Sequence, residues 1–89
     1  MNDHSLIIKQ VIGKTIKAIR IKQGLSQEDL AGLCQVDRSY ISLVEVGKNE
    51  PSVSKIFELC EGLQIKPSTF FKIIEAEYEK LKETNTDAE

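Results

Sequence analysis

Residues 27–46, QEDLAGLCQVDRSYISLVEV, have the pattern of two short helices joined by a tight turn. The small and apolar side chains occur where one helix would pack on the other, at Leu30, Ala31, Cys34, Val36, Ile41 and Val44. One face of the second helix stays outside this packing and carries Arg38, Ser39, Ser42 and Leu43. A helix that projects polar side chains from a small core is suited to reach base edges in the major groove of DNA.

Amphipathic spacing alone would also fit an ordinary helical bundle in which Arg38 and Ser39 are solvated surface residues. The short first helix, the tight turn and the polar face occur together in the segment 27–46, and this combination favours a helix-turn-helix motif.

Length and composition indicate one small domain rather than an enzyme or a membrane protein. The 89 residues allow one modest core, and no apolar run approaches the ~20 residues that a membrane span requires. The amino-terminal sequence lacks the basic and apolar regions of a signal peptide, so we expect a cytoplasmic protein. The sequence has no phosphate-binding loop and no cysteine–histidine or carboxylate pair in a catalytic context. We therefore expect no enzymatic activity, no cofactor and no metal site.

The two cysteines, Cys34 and Cys60, are too few for a disulfide framework and lack the spacing of metal ligands. Each occupies an apolar helical position, which predicts reduced thiols in the core of a cytoplasmic protein.

The charge is unevenly distributed along the chain, although its net value is only −2. No acidic residue occurs between residues 4 and 27, whereas this segment contains Lys9, Lys14, Lys17, Arg20 and Lys22. From residue 73 to residue 89 the acidic residues predominate. Because phosphate contacts act within a Debye length of about 8–10 Å, DNA responds to the local basic patch and not to the net charge.

Hydrophobic periodicity and capping residues predict five helices and no strand. The first helix runs from Ser5 to about Gln23 and its inward face carries Ile8, Ile12, Ile16 and Ile19. Ser26 and Asp37 are the expected caps of the second and third helices, and the fourth opens at residues 51–52. Its expected inward side chains are Val53, Ile56, Phe57, Cys60 and Leu63. The fifth helix starts at residue 67 or 68, and we place the domain at residues 5–82, followed by a disordered acidic tail at 83–89.

The fifth predicted helix has an apolar stripe that is wider than one core-facing side needs. It comprises Phe70, Phe71, Ile73, Ile74, Tyr78 and Leu81. We expect part of it, namely Phe70, Phe71, Ile74 and Tyr78, to form a homodimer interface. The alternative is that the whole stripe packs within one chain.

Several motifs together resemble the helix-turn-helix regulators of the lambda repressor and Cro type. They are GLSQEDLA (24–31), Val36, SYIS (39–42), Glu45 with Gly47, PSV (51–53) and LCEGLQIKPSTFF (59–71). The resemblance covers residues 8–71 and implies an all-α, five-helix, lambda-repressor-like DNA-binding domain with its helix-turn-helix core at 16–71. Within that family, DRSYIS (37–42) is similar to the controller proteins of restriction–modification systems.

Three positions depart from the pattern of the resembled family. Gln35 stands where a glycine is usual, and a left-handed backbone there would cost a non-glycine residue roughly 1–2 kcal/mol. Val46 stands where arginine or asparagine often precedes the glycine, so a phosphate contact is expected to be missing. Leu43 replaces a frequent polar base reader and could instead touch a thymine methyl group.

The resemblance and the polar face together assign the DNA contacts. Gln27 resembles the glutamine that binds a phosphate and anchors the first helix of the motif, although it could be a generic polar first-turn residue. Arg38 is the candidate base reader because a guanidinium can donate two bonds to guanine O6 and N7; it could instead clamp a phosphate or pair with Asp37. Ser39 and Ser42 share the face of Arg38.

The remaining assignments concern the edge of that face and its support. Tyr40 could pack partly in the core or donate to a phosphate, and Lys48 and Asn49 are expected at the DNA backbone. In the resembled family the positions of Arg20 and Glu45 form a partly buried ion pair, so we assign these two residues to orientation rather than to readout.

One recognition helix reads only a few base pairs, which is too little for genomic specificity. A two-fold pair can occupy half-sites one helical turn apart, about 34–36 Å. We therefore expect a sequence-specific regulator that binds double-stranded DNA at a palindromic operator as a homodimer, with RNA polymerase as the candidate further partner and no membrane association. The competing hypothesis is an antitoxin or adaptor that uses the same fold to bind a different protein.

Overall fold

The computed structural model describes the backbone of residues 4–87 and the side chains of residues 4–83. Over this range the chain forms five helices: α1 (His4–Lys22), α2 (Gln27–Cys34), α3 (Arg38–Glu45), α4 (Val53–Gly62) and α5 (Pro67–Asp87). No strand occurs between residues 4 and 87, so the predicted all-α, five-helix fold is confirmed. Helix α5 continues past the expected domain end at residue 82, and the last two residues of the expected acidic tail lie outside the described range.

One apolar core joins all five helices. Each helix contributes a side chain that is almost completely buried: Ile16, Leu30, Ile41, Leu59 and Phe70. Helix α2 packs on α3 and α4, while α1 packs on α3 and α5. The helix-turn-helix pair α2–α3 is therefore braced from two directions, by α1 and by α4.

The inward face of α4 differs from the predicted one. Val53 and Phe57 were expected in the core but are 65% and 54% exposed. The predicted residues Ile56, Cys60 and Leu63 are buried, and Leu59, which was not predicted, joins them. Val53 and Phe57 lie one turn apart on the neighbouring row, which stays exposed because α4 packs on α2 and α5 through the row of Ile56.

The apolar stripe of α5 is divided between the core and the surface. Phe70 and Ile74 are buried within the chain, so their assignment to a dimer interface is wrong. They belong to the core because α5 lies across α1 and α4 and must bury one face against them. Phe71 is exposed, and Tyr78 is half-buried with its hydroxyl oxygen 2.6 Å from His4 Nδ1.

Both helices of the motif begin where the sequence predicts. The Ser26 hydroxyl accepts a hydrogen bond from the Asp29 backbone N–H, and the Asp29 carboxylate accepts one from the Ser26 N–H, each at 2.9 Å. This reciprocal capping box fixes the start of α2. Asp37 occupies the N-cap of α3 but its side chain makes no capping hydrogen bond, which corrects the predicted cap.

The turn between α2 and α3 has a left-handed residue at the position where the resembled family usually has glycine. Gln35 has φ 57° and ψ 44°, and the Val36 N–H donates to the Ala31 carbonyl at 3.0 Å. Together they close α2 with a Schellman-type cap, in which glycine is the usual left-handed residue. Gln64 ends α4 in the same way, with φ 57° and a 3.0 Å bond from the Ile65 N–H to the Cys60 carbonyl.

A buried ion pair connects α1 to the end of α3. Arg20 Nε donates to Glu45 Oε2 at 2.7 Å and Arg20 Nη2 donates to Glu45 Oε1 at 2.9 Å, in a bidentate arrangement. The third donor, Arg20 Nη1, binds the Leu25 carbonyl at 2.9 Å in the turn before α2. The hydrogen bonds that Arg20 donates to the Glu45 carboxylate raise the pKa of Arg20 above its ordinary value. The structure thus contains the ion pair that the resemblance implies, and it fixes α3 relative to α1.

Two glycines allow the helices to approach closely. A Cβ on Gly13 of α1 would collide with the carbonyl oxygen of Val44 and lie 2.7 Å from that of Glu45. A Cβ on Gly62 of α4 would lie 2.6 Å from Cys34 Sγ. Both distances are shorter than a carbon atom tolerates, so α1 touches the carboxyl end of α3 and α4 touches that of α2 only because these residues lack side chains.

We expect Gly13→Ala to destabilise the fold by about 1–3 kcal/mol, because the added methyl group must push α1 away from the α3 backbone. The matched control is Gly32→Ala on α2, where an added Cβ meets nothing within 4 Å. That change should stabilise the chain by about 0.5–1 kcal/mol, since alanine loses less entropy in a helix. Urea unfolding measures both changes. If both variants shift the free energy of unfolding in the same direction, the close approach at Gly13 is contradicted.

We expect Glu45→Gln to cost about 3–5 kcal/mol in the free energy of unfolding, because it leaves the buried Arg20 cation uncompensated. The control is Glu58→Gln, which removes the exposed ion pair between Lys55 Nζ and Glu58 Oε1 at 3.1 Å. An exposed pair of this kind contributes about 0–1 kcal/mol. The prediction fails if urea unfolding at neutral pH gives similar losses for the two variants.

Candidate nucleic-acid interface

Helix α3 has one buried side and one exposed side. Ile41 and Val44 are buried in the core and Glu45 is held by Arg20, whereas Arg38 and Ser39 are exposed at the amino-terminal end. The 3.6-residue period places Ser39 opposite the buried set, whereas Arg38 lies near the rotational position of Glu45 and is exposed at the first turn of the helix. The exposed side of α3 therefore projects from the domain.

Arg38 is available for an external ligand. No hydrogen bond or ion pair to its guanidinium is found within the described residues, and the pairing with Asp37 that the sequence left open is not among the ion pairs there. Ser39 is exposed beside it, and Ser42 lies half-buried one turn after Arg38. Arg38, Ser39 and Ser42 thus share the part of the surface that the sequence assigned to base readout.

Two apolar side chains occupy the rest of the exposed side. Leu43 is 43% exposed and Val46, which follows the helix directly, is 63% exposed. Ser39, Leu43 and Val46 follow one another at intervals of four and three residues, so they form a single row along the helix, here called the outer row. The amino-terminal part of this row is polar and its carboxyl-terminal part is apolar.

Tyr40 lies closer to α4 than to the outer row. Its ring is half-buried and packs against the core, and this burial raises the pKa of the Tyr40 hydroxyl. Lys55 and Glu58 of α4 are the charged groups that act on it most strongly. The hydroxyl therefore stays neutral and able to donate, at the edge of the exposed side and not at its centre.

The turn after α3 presents Lys48 and Asn49. The backbone N–H groups of Lys48 and Asn49 both donate to the Leu43 carbonyl, at 3.0 and 3.3 Å. Gly47 adopts φ 81°, a conformation that favours glycine, and so reverses the chain directly after the helix. Lys48 is exposed and Asn49 half-buried, which leaves the lysine cation beside the carboxyl end of the outer row.

Gln27 has a partner that the sequence did not predict. Its Nε2 donates to Glu45 Oε1 at 2.9 Å, so the first residue of α2 is joined to the last residue of α3. Glu45 accepts bonds from Arg20 and Gln27 at once, and three elements meet at one carboxylate. A side-chain amide has two N–H donors, so one N–H of Gln27 remains for a further partner while Glu45 fixes the direction of the group.

The described part of the chain is also informative about metal sites, membrane-spanning helices and reactive cysteines. The side chains of residues 4–83 include no group of three or more suited to bind a metal ion. No helix in this range has the length and apolar character of a membrane span. Cys34 and Cys60 are free thiols, and burial raises the pKa of both, which keeps them protonated near neutral pH.

Comparison with known proteins identifies the family to which this chain belongs. The family described as helix-turn-helix matches residues 16–70. The control protein C.MunI of a Mycoplasma species is 38% identical over 78 residues, which cover 86% of this chain and all of that protein. The transcriptional regulator ClgR of Mycobacterium tuberculosis is 27% identical over 59 residues, and the chain spans only 53% of that protein.

Solved structures show the same arrangement of helices. The restriction–modification controller protein C.AhdI of Aeromonas hydrophila is 37% identical, with a TM-score of 0.67 over 70% of this chain and 94% of that one. The controller protein C.Esp1396I, solved as a tetramer in complex with its natural 35-base-pair operator, is 30% identical, with a TM-score of 0.75 over 80% of this chain and 93% of that one. The chain belongs to the helix-turn-helix family of transcription regulators, which includes these controller proteins.

Proposed function

We propose that this chain is a homodimeric transcription regulator that places α3 in the major groove of a palindromic operator and has no enzymatic activity. The observation that carries the proposal is the division of α3, whose inner side is fixed by the core and by Arg20 while Ser39, Leu43 and Val46 on its outer side are exposed. A helix with this division needs an external ligand of matching shape, and the major groove admits an α-helix.

The proposed contacts follow from the positions of the side chains. Arg38 lies at the amino-terminal end of α3, the part of a recognition helix that contacts base edges, and its guanidinium can donate two bonds to a guanine. Ser39 and Ser42 would contact the neighbouring bases or phosphates. The free N–H of Gln27 and the amino-terminal end of α2 suit a phosphate, because helix amino termini attract anions. Lys48 would bind the backbone at the other end of α3.

The homodimer surface requires a revised assignment, since Phe70 and Ile74 are buried. Phe57, Ile65 and Pro67 line one shallow depression between α4 and α5. Phe71 lies one turn after Pro67 and Val53 one turn before Phe57, so both extend the same surface. We name these five residues the α4–α5 stripe and propose that two copies of it pair about the two-fold axis, with Tyr78 outside the contact because its ring is held by His4 of its own chain.

The finer biological role is proposed from similarity. The likeness to C.MunI, C.AhdI and C.Esp1396I supports a role as the controller protein of a restriction–modification system. Such a protein would act in the cytoplasm, where binding to its operator either blocks RNA polymerase or recruits it. The competing role, an antitoxin or adaptor, would require a different protein on the exposed side of α3 or on the α4–α5 stripe.

The test of the DNA-binding proposal is a titration of operator DNA selected from a random pool, at two salt concentrations. Affinity should fall by orders of magnitude between about 50 and 200 mM salt, because each neutralised phosphate releases counterions. Arg38→Ala should cost about 1–3 kcal/mol on the preferred site and relax the choice of base there. Lys48→Ala is the matched comparison: it should weaken binding to all sequences alike and reduce the salt slope by about 1. Equal losses for Arg38→Ala on selected and random DNA would make Arg38 a phosphate contact.

The test of the dimer surface is sedimentation equilibrium at tens of micromolar. The wild-type chain should sediment at twice its 10.0 kDa mass, whereas Phe57→Glu should give the monomer, since it places a charge at the centre of the α4–α5 stripe. Ile21→Glu on α1 is the control, because Ile21 is about as exposed as Phe57 but lies outside the stripe. A dimer that survives Phe57→Glu, or a wild-type monomer, would contradict the proposed surface.

A further inference from the structure

The outer row of α3 ends in two exposed apolar side chains that the contacts proposed above leave without a role. Leu43 and Val46 cannot enter the core, because the inner side of α3 is already occupied by Ile41 and Val44. Neither side chain can donate or accept a hydrogen bond, so neither can read a base edge through polar groups or hold a phosphate. Exposed leucine and valine, adjacent on the outer row of a recognition helix, are suited to an apolar ligand.

The major groove offers one apolar group, the 5-methyl of thymine. We propose that Leu43 and Val46 determine operator specificity by packing on thymine methyl groups in each half-site. This inference rests on the proposed DNA-binding function. The contact removes a methyl group and an aliphatic side chain from water together, and it is lost when the methyl is absent. Arg38 would then select a guanine at one end of α3, and the apolar end of the outer row would select thymines at the other.

A protein ligand fits the outer row less well. A stable protein interface buries roughly 800 Å² on each partner, whereas the apolar part of the row is two side chains wide. Charged Arg38 and Lys48 flank it, and both carry the positive sign that DNA attracts. A narrow apolar strip between cations matches a groove whose floor has methyl groups and whose walls are phosphates.

Helix geometry gives the spacing of the proposed thymines. At about 1.5 Å per residue, Leu43 is roughly 7.5 Å and Val46 roughly 12 Å beyond Arg38 along the axis of α3. Base pairs rise about 3.4 Å along each strand, so a helix that follows the groove would place the two methyl groups about two and about three to four base pairs from the guanine. The selected half-site should therefore contain one guanine and two thymines at these intervals, on either strand.

The experiment uses the full chain and duplexes selected from a random pool, in which each thymine of a half-site is replaced in turn by deoxyuridine. This replacement removes only the 5-methyl group. Two positions should respond, each with about 3- to 5-fold weaker binding, the ratio that corresponds to about 0.8 kcal/mol for a methyl-sized group. Leu43→Ala should abolish the response at the nearer thymine and Val46→Ala at the farther one. Leu33→Ala is the matched control, since Leu33 is a similarly exposed leucine on α2 and should retain both responses.

The outcomes separate this inference from the function on which it rests. If no sequence is enriched from the pool, the proposed DNA-binding function itself fails. If a sequence is enriched but no deoxyuridine changes its affinity, the regulator stands and methyl readout is overturned. Methyl readout is also overturned if Leu43→Ala and Val46→Ala keep the wild-type responses, because another group then touches the methyls. It is equally overturned if these variants bind DNA normally and lose a co-purifying protein.

Discussion

The carboxylate of Glu45 is the interaction on which the position of the recognition helix depends. It is the last residue of α3, and it accepts hydrogen bonds from Arg20 of α1 and from Gln27 of α2. Because Arg20 also binds the Leu25 carbonyl, the turn that leads into α2 is tied to the same group. Burying two charges is costly, and their attraction compensates only when every donor and acceptor is satisfied. No buried side-chain nitrogen or oxygen among the described residues lacks a partner, so this condition is met.

Polar contacts fix the direction of α3, and two glycines set how closely the neighbouring helices approach α3 and α2. Gly13 lets the backbone of α1 lie against the carbonyl groups that end α3, and Gly62 lets α4 lie against the end of α2. A small chain has few residues with which to position a helix to within an ångström, so contacts between backbone and backbone are valuable to it. The ion pair and the close packing act on the same end of α3, which leaves its amino-terminal end, with Arg38, free to meet a ligand.

Much of this arrangement could be predicted from the sequence, because local rules govern it. The Ser26 cap of α2, the turn position at Gln35 and the apolar period of α1 depend on near neighbours in the chain, and each was expected. The rotation of α4 about its axis and the burial of Phe70 and Ile74 on α5 were not expected. Both depend on which neighbouring helix each apolar row contacts. Val53 and Phe57 show the difficulty: their spacing is as helical as that of the true inward row, and only tertiary packing distinguishes the two.

Only part of the candidate site could be predicted from the sequence. The exposed residues of α3 follow from its period, whereas the bond from Gln27 to Glu45 and the need for glycine at residue 13 join positions far apart in the chain. Because of these long-range contacts, the residues that stabilise the fold differ from the residues that would determine DNA specificity. All the groups that position α3 lie on its inner side, so substitutions in the outer row change what the helix can touch without removing a core contact. Leucine and valine at the exposed end of the row therefore cost the fold little, and under the proposed thymine contact their identity would be set by the ligand rather than by packing.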